Sequence, residues 1–227
     1  YYPEHIEAME DYIVDNKYVE FKVTVPDKMP EKYAKIAQMV AKRYNLKIKK
    51  LTKKDIFQGG YGQRIFQLIN ETYKDLYGFS ELTHRQIDQY VDMYLKLADL
   101  NLITVIEDGN QGDKLAGLGI TIPSLAKALQ KCHRGRLFPF GWWHVLRAIK
   151  FHKTEGVDLL LIGFLPEYRA KGANALLFYD LIPRYQEYGF KWGETQVEME
   201  TNSNVQGQWD AFETHLHKRR KCYKKFI

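Results

Sequence analysis

The predicted elements place the chain in the α/β class, of the α+β type, with a mixed and mainly antiparallel central sheet flanked by helices. Three observations lead there. Leu102 to Ile106 and Leu115 to Ile122 are short apolar runs, and the turn formers Glu107-Asp108-Gly109-Asn110-Gln111-Gly112-Asp113 between them predict a hairpin. Val157 to Phe164 is apolar at nearly every position, as a central strand covered on both faces should be. Amphipathic helical patterns stand on both sides of these strands.

In chain order, Tyr2, Ile6 and Met9 are spaced as one helical face, and Tyr18 to Val25 alternates as a strand punctuated by Pro26 and Pro30. Ala34, Ala37, Met39 and Val40 begin a helix ending near Asn45. Residues 1–45 are therefore read as a lead-in unit, and a second domain is expected over 46–227. Leu46, Ile48 and Lys50 predict a strand, and Ile65, Phe66, Ile69, Tyr73 and Tyr77 mark one face of a helix ended by Gly78. Thr83 is an N-cap for a helix carrying Ile87, Tyr90, Val91, Tyr94 and Leu97. After the hairpin and Pro123, a basic and aromatic connection runs from Cys132 to Trp143, and Val145 to Phe151 reads as a short helix. Beyond the central strand come a loop, a helix through Tyr188 ended by Gly189, a strand from Thr195 to Thr201, a short helix and a basic last strand.

The chain has 227 residues, 45% hydrophobic, 27% charged and 14% aromatic, which excludes a disordered tail, a collagen-like fibre or a coiled coil. The longest apolar stretches, such as Leu159 to Leu165, fall far short of the ~20 residues that span a bilayer, and neither a membrane span nor a signal peptide is expected. Cys132 and Cys222 are the two cysteines, which gives no disulfide framework and no CxxC metal pair, and no HExxH occurs, so no metal site is expected. A cytoplasmic setting is expected. A net charge of +6 favours an anionic partner, whether a phosphate-bearing cofactor, an acidic protein or nucleic acid. The chain opens at Tyr1 and enters structure at once, as a fragment of something longer would.

The loop after the central strand holds Arg169, Ala170, Lys171, Gly172, Ala173 and Asn174 and leads straight into a helix. Such a turn gathers free backbone N–H groups, a helix dipole and two cations, which suits a pyrophosphate; a plain strand-to-helix turn with solvated cations is the other reading. No Walker lysine-serine pair and no GxGxxG accompanies it, which disfavours nucleotide hydrolysis and dinucleotide binding.

Gly163-Phe164-Leu165-Pro166-Glu167-Tyr168-Arg169-Ala170-Lys171-Gly172 resembles the acyl-CoA-binding motif of the GNAT N-acetyltransferases, Gln/Arg-x-x-Gly-x-Gly/Ala. Arg169 and Gly172 match it; Asn174 stands where a small residue is expected. The resemblance extends to the C-terminal half of bacterial proteins with two GNAT-like halves, through Asn70-Glu71-Thr72-Tyr73, Leu115 to Ser124, Gly135-Arg136-Leu137-Phe138-Pro139 and Glu200-Thr201-Asn202. It implies a GNAT-like acyltransferase domain over 46–227, with residues 1–45 as the end of an N-terminal GNAT-like half and a linker helix. It also implies acetyl-CoA or a longer acyl-CoA held where Val157 to Phe164 and Thr195 to Thr201 splay apart. Its pantetheine arm would pair near Gly163, Phe164 and Leu165, and its pyrophosphate would meet the amides of Arg169 to Asn174.

Transfer of an acyl group to an amine needs a base, an oxyanion donor and an acid for the thiolate. Glu198 and Glu200, two apart on one predicted strand, are candidate bases or else a solvent-facing pair. Between Asn202 and Leu216 there is no tyrosine, so Tyr223 is the nearest candidate acid, with a core position as its other reading. Asn202 reads as a helix cap. Phe138-Pro139-Phe140-Gly141-Trp142-Trp143 either lines an acyl or acceptor pocket or packs under a long connection. The run His217-Lys218-Arg219-Arg220-Lys221 reads as a solvated edge strand before it reads as an RNA contact, and Gly59-Gly60-Tyr61-Gly62 as a flexible loop near the substrate entrance. Three functions stay open: an acyl-CoA-dependent N-acyltransferase acting on an amine, a non-catalytic module binding acyl-CoA or a protein, and an aminoacyl-tRNA-dependent transferase. The oligomeric state stays open, with a homodimer through exposed sheet edges as one alternative.

Overall fold

The computed structural model describes residues 3–9 and 11–226. Tyr2, predicted to share a helical face with Ile6 and Met9, lies outside them. The chain runs α1 (Pro3–Glu7), β1 (Tyr12–Thr24), α2 (Glu31–Tyr44), β2 (Leu46–Lys49), α3 (Lys53–Phe57), α4 (Tyr61–Tyr73) and α5 (His84–Tyr90). The hairpin follows as β3 (Ile103–Asp108) and β4 (Lys114–Pro123), then α6 (Ala126–Gln130), α7 (Gly141–Phe151) and β5 (Gly156–Phe164). The remainder is α8 (Pro166–Arg169), α9 (Asn174–Glu187), β6 (Trp192–Thr195), β7 (Glu198–Met199), α10 (Ser203–Gln206) and β8 (Thr214–Lys225). Among the described residues, no helix is long and apolar enough to cross a membrane.

One sheet holds all the strands in the order β2-β3-β4-β5-β6-β1, with β7 continuing along the β6 edge of β1 and β8 on its other edge. Every pairing is antiparallel except β5 with β6. The division expected at residue 45 marks no break in this sheet, because β1 hydrogen-bonds to β6, β7 and β8. Side chains alternate between faces along a strand, so Gly119, opposite Ile162, and Gly163 face opposite ways. A methyl group on Gly119 would touch Leu177 of α9, and one on Gly163 would lie 2.7 Å from the Thr72 hydroxyl of α4. Helices α9 and α4 therefore cover opposite faces, and β5 is buried between them as its continuous apolar run predicts.

Local signals account for most boundaries. Thr83 caps α5 in a capping box with Gln86, Asn45 ends α2 in the left-handed conformation, and Gly189 at φ 75° follows α9. Helix α4 stops at Tyr73, four residues before the end expected from Tyr77, which is exposed. The helix begun by Thr83 passes into a π-helical turn at Val91–Leu95, and the extra residue puts Leu95 rather than Tyr94 in the core. Gly59 to Gly62 form the tight entry to α4: a methyl on Gly62 would sit 2.7 Å from Val91, so close helix packing fixes this glycine. The strand expected over Thr195 to Thr201 is broken. Its first half, β6, begins at Trp192, the chain bulges at Gln196 and Val197, and β7 ends at Met199.

Candidate functional site: a notch between diverging strands

Strands β5 and β6 pair from Gly156 opposite Trp192 to Leu159 opposite Thr195. There they part. The Thr195 hydroxyl takes the Phe21 amide at 3.0 Å, a bond the ladder would otherwise make, and the chain swings out before β7 resumes opposite Tyr18 and Val19. The far half of β5 is thus left without a strand on this side, and a notch opens between it and β7.

Side chains of this chain fill the exposed edge of β5. The Tyr73 hydroxyl donates to the Ile162 carbonyl at 3.1 Å and accepts from the Ile162 amide at 3.2 Å. The Arg169 guanidinium donates to the Phe164 carbonyl at 2.9 Å and to the Thr72 carbonyl at 3.0 Å. Across the notch, Glu198 accepts from the Trp209 indole at 2.9 Å, while its Oε2 is buried with no hydrogen-bond partner among the described residues. Burial pushes the Glu198 carboxyl up to about 7, and the Trp209 and Thr195 donors offset only part of that. Burial also pushes the Tyr73 phenol up to about 12; the Ile162 peptide offsets part of the rise and the charge of nearby Glu198 adds to it. Beside Trp209, which is 3% exposed, lies a small apolar hollow of about 20 Å³, lined by Val23, Leu159, Phe178, Gly193 and Phe212 among others.

The loop after β5 turns through α8 into α9. Gly172 takes φ 73°, and a methyl there would only touch Val40 and Ile36 at 3.8 and 3.9 Å, so its backbone angle rather than crowding calls for glycine. The amides of Gly172, Ala173 and Asn174 make no hydrogen bond among the described residues, as the first turn of a helix without a side-chain cap leaves them. Beneath the loop, the buried Tyr168 hydroxyl donates to Asp108 at 2.6 Å and accepts from Gln111, which ties α8 to the β3–β4 hairpin. Burial raises the Asp108 carboxyl, but the Tyr168, Asn110 and Gln111 donors outweigh it and leave it below the usual carboxylate range. Hydrogen bonding to that carboxylate, after burial, pushes the Tyr168 phenol up.

The expected residues are placed as follows. Gly163, Phe164 and Leu165 end β5 at the notch, and Ala170, Ala173 and Asn174 stand at the entry to α9. Of the two loop cations, Arg169 is spent on two carbonyls, while the Lys171 ammonium lies 5.0 Å from the Tyr44 ring and 4.5 Å from the Tyr168 ring. The expectation that Glu200 shares the role of Glu198 is corrected: Glu200 stands just past β7, its amide on the Lys17 carbonyl, and its carboxylate pairs with Arg219 of β8. Tyr223 is also corrected as an acid. It lies opposite Val14, five residues along β1 from Val19, which is roughly 16 Å at strand spacing, and it donates to Glu7 at 2.9 Å. In the aromatic connection Phe138 and Phe140 are each 78% exposed, so neither packs beneath the connection. Asn202 caps α10 by accepting from the Val205 amide. Sequence reasoning missed Tyr73 and Trp209 as site residues. Tyr73 stood on a helix face that looked like core, and an indole gives no sequence sign of which carboxylate it will meet.

An open sheet of this order, with two parallel strands that part beside a helix N-terminus, is the fold of the GCN5-related N-acetyltransferases. Three solved structures carry it. The GCN5-related N-acetyltransferase from Sphaerobacter thermophilus matches with a TM-score of 0.58 and 12% identity, over 98% of this chain and 55% of that one. The GCN5-related glucosamine N-acetyltransferase region of a fungal multi-domain GH3 beta-N-acetylglucosaminidase matches with 0.58 and 10%, over 96% and 22%. A tandem GNAT protein from the clavulanic acid biosynthesis pathway matches with 0.51 and 11%, over 97% and 57%. Among curated proteins, the chain is 21% identical over 138 residues to the bacterial ceramide synthase of Caulobacter vibrioides (strain NA1000 / CB15N). That alignment takes in 60% of this chain and 35% of that protein, so the chain spans about a third of the length of this relative. No family model matches the chain.

Proposed function

We propose that the protein is an acyl-CoA-dependent N-acyltransferase with Glu198 as its base. The observation that carries this reading is the state of Glu198: a carboxyl at the notch, with only neutral donors near it and one buried oxygen that none of them satisfies, titrating about where a base for an ammonium group must titrate. The surroundings fit the cofactor. The unbonded amides of Gly172, Ala173 and Asn174 suit its pyrophosphate, and the strand edge at Ile162 and Phe164 suits its pantetheine arm. Acyl-CoA supplies an activated thioester there. Glu198 takes a proton from the incoming ammonium and leaves an amine nucleophile. Tyr73, which keeps its proton across the physiological range, is the nearest phenol to supply one to a leaving thiolate. Because Tyr73 and Arg169 hold the peptide groups of β5 that the arm would use, binding has to displace them.

Calorimetric titration with acetyl-CoA and longer acyl-CoAs tests the reading, with Gly172→Val and Arg169→Ala beside the parent protein. Binding at micromolar concentration that Gly172→Val abolishes supports it. Equal affinity in parent and Gly172→Val, or no binding to any acyl-CoA, overturns it. The acceptor screen then includes long-chain amino alcohols as well as simple amines, in view of the similarity to a protein named as a ceramide synthase.

A further inference from the structure

The segment joining β4 to β5 carries the positive charge of the whole chain. From Lys114 to Thr154 there is no Asp or Glu, while the chain as a whole has 34 Lys and Arg against 28 Asp and Glu. Within it, Lys131, Arg134, Arg136, Arg147, Lys150 and Lys153 form no ion pair among the described residues; Lys127 pairs with Glu155 at its border. Beside these cations the segment exposes large apolar side chains. Phe138 and Phe140 are 78% exposed, Phe151 54%, and Leu129, Leu137, Trp142 and Trp143 each more than 40%.

Their exposure is built in. Helix α7 buries Gly141 and Ala148 toward the body of the protein, so its other side presents Trp142, Trp143, Leu146 and Phe151 together with Arg147 and Lys150. The turn before it is closed by its own bonds, from the Trp142 amide to the Leu137 carbonyl at 2.7 Å and from the Trp142 indole to the Pro139 carbonyl at 2.9 Å. A methyl on Gly141 would lie 2.3 Å from the Arg136 carbonyl, so the turn is packed against the start of the helix. Phe138 and Phe140 are thereby held out into solvent by a folded support.

We propose that residues 126–153 are a docking surface for an anionic phospholipid bilayer. Tryptophan and phenylalanine settle at the headgroup level, lysine and arginine reach the phosphates beside them, and unpaired cations with no carboxylate nearby are drawn to a negative surface. The exposed leucines select a bilayer over RNA, whose backbone and bases offer nothing to an aliphatic side chain. The described part of the protein lies on the membrane by this surface.

Flotation of the purified protein with vesicles tests this without any acyl-CoA, so its outcome is independent of the catalytic reading. Vesicles of phosphatidylcholine alone and with about 30% phosphatidylglycerol are compared at ~0.1 M salt. Binding to the anionic vesicles that falls about tenfold or more in Arg134→Glu/Arg136→Glu, and comparably in Phe138→Ser/Phe140→Ser, supports the proposal. Thermal unfolding of both variants confirms that they fold. Brominated lipid in the same vesicles should quench tryptophan emission in the parent and lose most of that effect in Trp142→Phe/Trp143→Phe. Failure of the folded parent to float with anionic vesicles overturns the proposal. So does binding that survives the phenylalanine changes, or a preference for transfer RNA that removes the protein from the vesicles.

Discussion

The notch beside β5 and the ribbon of β1 with β8 are both rich in ionisable groups, and they treat a carboxylate in opposite ways. Along the ribbon nearly every acid meets a cation across the strands: Glu7 with Lys221, Asp11 with Lys225, Asp15 with Lys224, Glu20 with Lys218 and Arg220, Glu200 with Arg219. Hydrogen bonds from Lys221 and Tyr223 hold Glu7 below the usual carboxylate range, and those from Lys224 and Tyr77 do the same for Asp15. In the notch Glu198 has no cation among the described residues, only burial and the neutral donors Trp209 and Thr195, and its carboxyl is raised. Glu198 and Glu200 have one residue, Met199, between them. The difference shows that the neighbours a fold supplies, more than strand spacing, decide which carboxylate can act as a base.

The sharpest way to break the comparison is at Glu198 itself. Glu198→Gln should lower kcat/KM by about 10²- to 10⁴-fold, and the parent's kcat/KM should fall as pH drops below about 7, with the lower-limb pKa absent from the variant. Tyr73→Phe should come next, lowering kcat about tenfold or more with acyl-CoA affinity unchanged or improved, since the Ile162 peptide is released; single-turnover and binding measurements separate the two effects. Stability should distinguish the regions as well. The folded state holds a proton on Glu198 between the unfolded value of 4.5 and about 7, so stability from this group is lost as pH rises across that window. Glu198→Gln should therefore melt above the parent at about pH 8, and the two should converge at about pH 4 in thermal scans.

Gly172→Ala should cost about 1 kcal/mol by chemical denaturation, from the left-handed backbone alone. The smallest effects belong to the ribbon. Glu200→Gln and Tyr223→Phe should leave kcat/KM within about twofold and stability within about 1 kcal/mol, because exposed ion pairs are screened by water. A large loss in either variant would make the ribbon part of the site.

The basic run of β8 and the basic segment before β5 extend the same lesson. In sequence both are rich in lysine and arginine. The structure answers the cations of β8 with carboxylates of α1, β1 and β6 and leaves those between α6 and α7 unanswered, beside exposed aromatic rings.

Local chemistry alone determined much of this protein. The hairpin at Asp108 to Lys114, the buried strand β5, the Thr83 cap, the left-handed glycines and the amide-rich entry to α9 were all legible, because each depends on residues within a turn or two of one another. Tertiary structure decided the rest. That β1 closes the sheet beside β6, that the strand after Thr195 breaks, that Tyr73 holds Ile162 and that Arg169 turns inward to two carbonyls all depend on groups far apart in the chain. Burial and hydrogen-bond partners across such distances set the chemistry of a side chain, and a sequence carries residue types and spacings without those neighbours.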